Sequence, residues 1–214
     1  MQKILIIFLS YFILNCNPDF NKHDKTLKNF FHNQWEENLE NYPEYATYLG
    51  DNRYNNLLTN MSLDAINKRQ KQTHVSLDKL SKIDRNKLST EYKLYYDLYS
   101  DKLKQSIEGQ QYKEHLIPIN QMGGIQISAA NLVDNTPFNT QDDYTNYLHR
   151  LQALPTKIDQ IISLMKMGIQ ENIMPPQVVL ASVPEQINKQ YTYSLNESPF
   201  YNWLKENSLN KGIL

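Results

Sequence analysis

The chain has 214 residues, a net charge of −1, 40% hydrophobic residues and a single cysteine. The near-neutral charge provides no long-range field that would favour binding to nucleic acid or to strongly acidic partners, and one cysteine excludes both an intrachain disulfide and a cysteine-based metal site. The length is enough for one domain with a sizeable core, or for part of a larger domain.

The first 16 residues have the pattern of an export signal. Lys3 precedes an uncharged apolar run at residues 4–14, and Cys16 follows shortly after it. As a helix this run would rise about 16 Å, roughly half of the hydrocarbon core of a bilayer. The run is therefore typical of a secretory leader and not of a membrane span.

A cysteine at the end of such a run resembles the acylated residue of bacterial lipoproteins. We expect cleavage before Cys16, lipidation of its thiol and of the new amino group, and anchoring in the bacterial cell envelope. More than one acyl chain makes such an anchor stable. The alternative is a plain signal peptide with an incidental cysteine. Residues 17–24 are polar and are expected to tether the anchor to a helical region over residues 25–214.

Three helices are predicted in the first half of that region, because apolar residues recur there at steps of three and four. Their expected ranges are about 26–41, 63–82 and 84–107. Ser62 and Asp84 are the expected N-caps of the second and third helices. The third helix carries a stripe of tyrosines between Tyr92 and Tyr99. Its helical spacing favours a packing seam over an aromatic binding face.

Residues 115–139 lack a helical period and contain the pair Gly123-Gly124. This segment is predicted to be extended or irregular, with at most a short strand near residues 125–128. Glycine permits positive φ and close backbone approach. Gly123 and Gly124 are therefore candidates for lining a cleft in which backbone amides meet an extended ligand. The alternative is a tight turn between helices.

The second half is again predicted to be helical. Thr140 and Asp143 have the spacing of a capping box that starts a helix. Pro155 either kinks that helix or starts the next one, and a break before it is favoured, because an interior proline costs about 3 kcal/mol. Gly168 fits a C-terminal stop. Further helices are predicted over about 175–191 and from Pro199. The predicted fold class is therefore mainly α, an irregular multi-helix array.

The residues alone reveal no catalytic constellation. His32 and Glu36 lie one turn apart and could supply two metal ligands, but a third has no evident source, so a solvated surface pair is favoured. The sequence contains neither an H-E-x-x-H nor a G-x-S-x-G motif. We therefore predict no catalytic residue, metal ligand or cofactor in this chain.

Four stretches of the sequence are distinctive. They are YATYLGDNRYNNLL at 45–58, the spacing Leu77-x-x-Leu80-x-x-Ile-Asp, PINQMGGIQ at 118–126, and the run DDYTNYLHRLQALPTKIDQIISLMKMGIQENIMPP at 142–176. Together they resemble the bacterial family called domain of unknown function 885, over about residues 25–205.

The resemblance implies a helical protein that is exported or lipid-anchored and similar to zinc metallopeptidases, whose members are more than twice this length. Their presumed metal site lies in the C-terminal half, around a His-Glu pair followed by Pro-Gly-His. This sequence has neither a His-Glu nor a Gly-His dipeptide, so no catalytic residue carries over. Zinc is expected only in full-length relatives. The chain resembles the N-terminal helical portion, which forms one wall of the substrate cleft.

Two functions from different classes fit these observations. In the first, the chain is the N-terminal fragment of a peptidase-like lipoprotein, truncated and inactive alone, whose partners are the membrane and a peptide substrate or a missing C-terminal half. In the second, it is a free-standing surface lipoprotein that binds a peptide or protein partner. Phe200, Tyr201, Trp203 and Leu204 favour the first function, because these apolar residues have little chain after them to cover them.

Overall fold

The computed structural model describes residues 21–201, so the leader, Cys16 and the residues after Tyr201 lie outside the described range. Within that range the chain forms eight α-helices and six short 3-10 turns, which confirms the mainly α prediction. The helices are α1 (Lys22–Asn41), α2 (Pro43–Tyr48), α3 (Leu63–Ser81), α4 (Thr90–Gly109), α5 (Ile125–Ser128), α6 (Gln141–Gln170), α7 (Gln177–Leu180) and α8 (Val183–Thr192). None of these described helices combines the length and apolar character needed to cross a bilayer.

Two helix starts are set by the caps that the sequence predicts. The side chain of Ser62 accepts a hydrogen bond from the Ala65 N–H at 3.2 Å and so begins α3. At the start of α6, the Thr140 hydroxyl accepts from the Asp143 N–H, and the Asp143 carboxylate accepts from the Thr140 N–H at 2.9 Å. These bonds satisfy N–H groups that the first turn of a helix leaves unpaired.

The third predicted start is wrong in position. Asp84 accepts a hydrogen bond from the Asn86 N–H at 3.1 Å, but this caps the 3-10 turn Arg85–Lys87. Helix α4 begins only at Thr90, after Ser89. Asp84 therefore acts as an N-cap, as its residue type predicts, but it caps the 3-10 turn that precedes α4.

The predicted break of α6 before Pro155 is wrong, because the helix is continuous from Gln141 to Gln170 and ends two residues after the stop predicted at Gly168. Pro155 lies inside it on the exposed side, where water can bond the carbonyl that the missing proline N–H leaves free. Gly168 is buried within the last turns. A Cβ atom there would lie 2.7 Å from the carbonyl oxygens of Leu116 and Ile173, so this glycine serves close packing instead of ending the helix.

Residues 125–128 form the single helical turn α5, so the short strand that the sequence allowed there does not form. Helical spacing continues through this region, because Ile125, Ala129 and Leu132 follow at steps of four and three, and the latter two are buried. Gly124 is the N-cap, with φ 135°. In the sequence this helical spacing is difficult to recognise, because it is short and follows directly after prolines and glycines.

Four groups of buried side chains hold the described helices together. The first joins α1, α3 and α4 through Leu27, Phe30, Leu80, Leu88 and Leu103. Tyr92, Tyr96 and Tyr99 pack against it, which confirms the packing seam for these three tyrosines. Each of the other three groups includes a side chain of α6, and in one of them the packing of Ile66 with Leu116 and Leu164 links α3 to α6. Helix α3 is therefore fixed on both sides.

Candidate binding groove

A groove of about 1310 Å³ lies between α1, α3 and α4. Aromatic side chains from different elements line it. Phe31 contacts Tyr99 with ring centroids 5.2 Å apart, and Trp35 contacts Tyr45 at 6.4 Å, both edge to face. Trp35 is 46% exposed and Tyr45 43% exposed, so their rings are available to a ligand. The groove therefore presents large apolar surfaces that the fold itself leaves partly uncovered.

The tyrosine stripe of α4 contributes to both the core and this groove. Tyr99 is held between Phe30 and Phe31, and burial together with the charge of Glu37 raises the pKa of its hydroxyl. Tyr95, by contrast, is 41% exposed on the groove side of α4. The stripe thus has a packing edge, as predicted, and an open edge that faces the groove.

Polar side chains are set among the aromatic ones. Glu37 accepts hydrogen bonds from Gln72 at 2.6 Å and from Gln34 at 3.2 Å. The Gln72 bond bridges α3 to α1, the Gln34 bond lies within α1, and together they engage both oxygens of the carboxylate. Amide groups near the groove, together with the aromatic rings, supply the mixture of polar and apolar contacts that is typical of ligand sites.

Two cations lie over aromatic rings at the groove. The guanidinium of Arg69 is 5.5 Å from the centre of the Tyr42 ring and also donates to the carbonyl of Asn60 at 2.9 Å. The ammonium of Lys102 is 5.6 Å from the centre of the Tyr99 ring. A cation held over a ring face gains about 0.5–1 kcal/mol at an exposed site. These contacts place positive charge beside the apolar walls.

A smaller recess of about 230 Å³ adjoins the groove and shares Glu37, Gln72 and Ser76 with it. The recess is lined by three further lysines of α3, which are Lys68, Lys71 and Lys79. The two concavities together are lined by six Lys or Arg side chains and two carboxylates. The surface is therefore locally basic, although the whole chain carries a net charge of −1.

The glycine pair lies in a turn that is not part of the groove lining. Asn120 organises the turn, because its side chain accepts from the Met122 N–H at 2.8 Å and from the Gly123 N–H at 3.0 Å. Gly124 has φ 135°, and Gln126 donates to the carbonyl of Asn120 at 2.8 Å. The pair therefore lies in a tight turn, which is the alternative that the sequence analysis left open. A ligand contact by Gly123 or Gly124 stays a prediction.

His32 and Glu36 do not act together in the structure. His32 lines the groove, whereas Glu36 accepts a hydrogen bond from Arg53 at 2.6 Å, and that bond lowers the pKa of Glu36. Across residues 21–201 no three His, Cys, Asp or Glu side chains form a group suited to a metal ion. His115 also lines the groove, and burial lowers its pKa and so favours its neutral form.

A buried polar cluster outside the groove was missed by sequence reasoning. Arg150 is 1% exposed; its Nε donates to the Leu57 carbonyl at 2.8 Å and its Nη2 to the Thr47 hydroxyl at 2.6 Å. Burial lowers its pKa to about 10, and the charge of Glu44 opposes that change. The guanidinium still carries its charge at neutral pH. The sequence contains one indication of this cluster. Arg150 follows buried Tyr147 by three residues, which places an arginine on the apolar face of α6.

An ion pair stands next to this cluster. Lys157 of α6 binds Glu44 of α2, whose other oxygen accepts from the Thr59 N–H at 2.9 Å and from the Thr59 hydroxyl at 2.5 Å. Burial by itself would raise the pKa of Glu44, but Lys157 and Thr59 outweigh it and lower that pKa. The side chains of Lys157 and Glu44 therefore make hydrogen bonds to groups within the fold. The cluster therefore joins α2 to α6 and does not present an open reactive group.

A model of the family described as bacterial protein of unknown function (DUF885) matches residues 43–211. The match begins at the first residue of α2, so it includes two walls of the groove, α3 and α4, and leaves out α1. None of the curated proteins compared with the chain matches it.

Proposed function

This chain belongs to the DUF885 family of bacterial proteins, and on that premise we propose that it is the helical wall of a metallopeptidase-like lipoprotein and binds polypeptide without cleaving it. The proposal includes export, a lipid anchor at Cys16 and a catalytic half supplied by further polypeptide. The observation that carries it is the groove between α1, α3 and α4.

The groove suits a polymer better than a small molecule. Its volume of about 1310 Å³ exceeds the roughly 300–1,000 Å³ of ordinary small-molecule pockets. Exposed aromatic rings such as Trp35 and Tyr45 offer anchor positions for a polypeptide, because Trp and Tyr are among the residues that contribute most binding energy at protein interfaces. The amides of Gln34 and Gln70 lie in the same lining and can bond a peptide backbone.

The proposal that the chain is not catalytic rests on the family resemblance. Metal-assisted hydrolysis needs metal ligands and an activated water. The His-Glu and Gly-His dipeptides expected at the metal site of relatives do not occur in this sequence. We therefore propose that zinc belongs to the other half of the fold and that this chain contributes substrate binding.

A proteolysis assay and a binding assay together test the proposal. The purified 214-residue chain, supplied with zinc, is incubated with fluorescein-labelled casein. We expect no hydrolysis above the buffer rate, no effect of a chelator, and saturable casein binding measured by fluorescence anisotropy. Trp35→Ala should weaken that binding, whereas Tyr48→Ala, an exposed aromatic outside the groove lining, should not. Chelator-sensitive hydrolysis, or no binding at all, would contradict the proposal.

The alternative function is a free-standing surface lipoprotein that binds a peptide or protein partner. It is favoured by the fact that all three walls of the groove come from described residues of this one chain. The DNA beyond codon 214 discriminates, because the first function requires a continuation or an adjacent gene that encodes a His-Glu pair. Both functions expect Cys16→Ser to release the protein from membranes.

A further inference from the structure

We propose that the groove between α1, α3 and α4 selects polypeptide segments in which acidic side chains flank aromatic or other apolar ones. The inference rests on the proposed function, namely that the groove binds polypeptide, and adds the chemical class of the ligand. It follows from the sign and the position of the charges along the groove and the recess.

The first step is the local excess of positive charge. Six Lys or Arg side chains and two carboxylates line the groove and the recess, in a chain whose net charge is −1. The carboxylate at their junction, Glu37, already accepts hydrogen bonds at both of its oxygens, from Gln34 and from Gln72, so the six cations still outnumber the carboxylates there. Charge complementarity of this kind steers association and selects between partners of opposite charge.

The second step is the pairing of cations with aromatic rings. Lys102 lies over Tyr99 at 5.6 Å, and Leu98 next to it on α4 is 61% exposed. Arg69 lies over Tyr42 at 5.5 Å. A ligand carboxylate can meet the ammonium or guanidinium while a neighbouring apolar side chain covers the ring or Leu98. An acidic residue beside an apolar one matches each of these pairs.

The third step separates a peptide from a membrane surface. Positive charge beside aromatic side chains also suits anionic lipid headgroups. The rings of Phe31 and Tyr99, however, lie inside a concavity between three helices, and the Lys102 and Arg69 charges are held over rings at its walls. A narrow chain can enter this concavity, whereas the flat face of a bilayer meets only its rim. A peptide is therefore the favoured occupant.

The experiment uses the full chain and two short fluorescein-labelled peptides. One alternates Glu with Tyr and Leu, and the other carries Lys in place of every Glu. We expect the acidic peptide to bind at least about tenfold more tightly than the basic one at low ionic strength, and the difference to shrink as salt screens the charges. Anisotropy measures both affinities.

Substitutions on one helix supply the matched control. Lys102→Gln should lower the affinity for the acidic peptide by about threefold to fivefold. Lys104→Gln removes the same charge from an exposed position of α4 outside the groove lining and should change the affinity less than about twofold. Casein binding should persist in both variants, because most of its contacts remain.

The outcomes distinguish this inference from the proposed function. Equal affinity for the two peptides, or equal losses in the Lys102 and Lys104 variants, would overturn the acidic preference while casein binding still supports a peptide groove. Displacement of the acidic peptide by phosphatidylglycerol vesicles, but not by phosphatidylcholine vesicles, would assign the surface to anionic lipid and also overturn it. Failure of casein and both peptides to bind would refute the proposed function itself.

Discussion

The two adjacent glycines show how differently neighbouring residues can be constrained. A Cβ atom on Gly123 would have no heavy atom within 4 Å, and its φ is not in the left-handed region. A Cβ atom on Gly124 would lie 2.4 Å from the Gln126 Oε1 and 3.2 Å from the Ile119 Cα, and its φ of 135° is strained for any other residue. Only the second glycine is required by the backbone.

We predict that Gly124→Ala lowers the free energy of unfolding by about 2 kcal/mol, because it combines backbone strain with a steric contact. Gly123→Ala, one residue away, should change it by less than about 0.5 kcal/mol. Urea unfolding followed by circular dichroism measures both. A similar loss in the two variants would contradict the assignment of the strain to Gly124.

The sequence predicts that this pair is special but cannot say which glycine matters. The spacing of apolar residues and the residue types of caps are local, so they can be read directly, as Ser62 and Thr140 show. The φ value at Gly124 is different, because it depends on the path that the chain takes between Ile119 and α5. That path is fixed by tertiary packing.

At the scale of elements, α6 is joined to α2 and the turn after it through one buried arginine. The guanidinium of Arg150 donates to the carbonyls of Leu57 and Tyr54 and to the hydroxyl of Thr47. Loop carbonyls that are buried in this way need donors, since an unpaired buried polar group costs about 1–3 kcal/mol. Arg150 therefore stabilises an irregular segment that has few backbone partners of its own.

We predict that Arg150→Met destabilises the protein by about 3 kcal/mol or more, because it leaves several buried acceptors unpaired. Arg150→Lys keeps the charge but offers fewer donors, so it should cost less than the methionine variant. His149→Ala, at the exposed neighbouring position, should be near neutral. Unfolding midpoints in urea measure all three. A methionine variant as stable as the parent would show that the hydrogen bonds contribute no net stability.

The errors in the predicted elements have a shared physical origin. Pro155 was expected to end α6, but its cost depends on whether the freed carbonyl faces water, and Pro155 lies on an exposed side of the helix. Gly168 was expected to be a stop, but it is the close approach of the Leu116 and Ile173 backbones that requires it. The residue type indicates that a proline or glycine can interrupt a helix, whereas the tertiary surroundings decide whether it does.

At the scale of the whole molecule, the groove could not be predicted from the sequence. Its walls come from α1, α3 and α4, so Trp35 and Lys102 both line it although they are far apart in the chain. The alternation of exposed and buried residues in α4 is visible in the sequence, but the neighbours that turn Tyr95 and Leu98 into one wall of a groove are not. Local patterns fix the helices, and their packing creates the site.

Several large apolar side chains are exposed in the segment from Ile169 to Tyr191, outside the groove lining. Within it Met174 is 61% exposed, Val178 77% and Tyr191 72%. Side chains of this size and exposure promote contact with other apolar surfaces when nothing covers them. In the proposed function they would face the other half of the fold. In the isolated chain they should cause self-association.

We predict that the double variant Val178→Lys, Tyr191→Lys reduces self-association of the chain, measured by light scattering, and lowers the fluorescence of bound anilinonaphthalene sulfonate at least about twofold. The control variant Gln177→Lys, Asn188→Lys adds the same charge to exposed positions of the same two helices without removing apolar surface. It should change both signals much less. Peptide binding should be unchanged in both variants, because none of these residues lines the groove.

Equal effects of the two variants would mean that net charge, and not this apolar segment, governs association. If neither variant changed self-association, the groove itself would be the surface responsible. Bound acidic peptide should then reduce self-association.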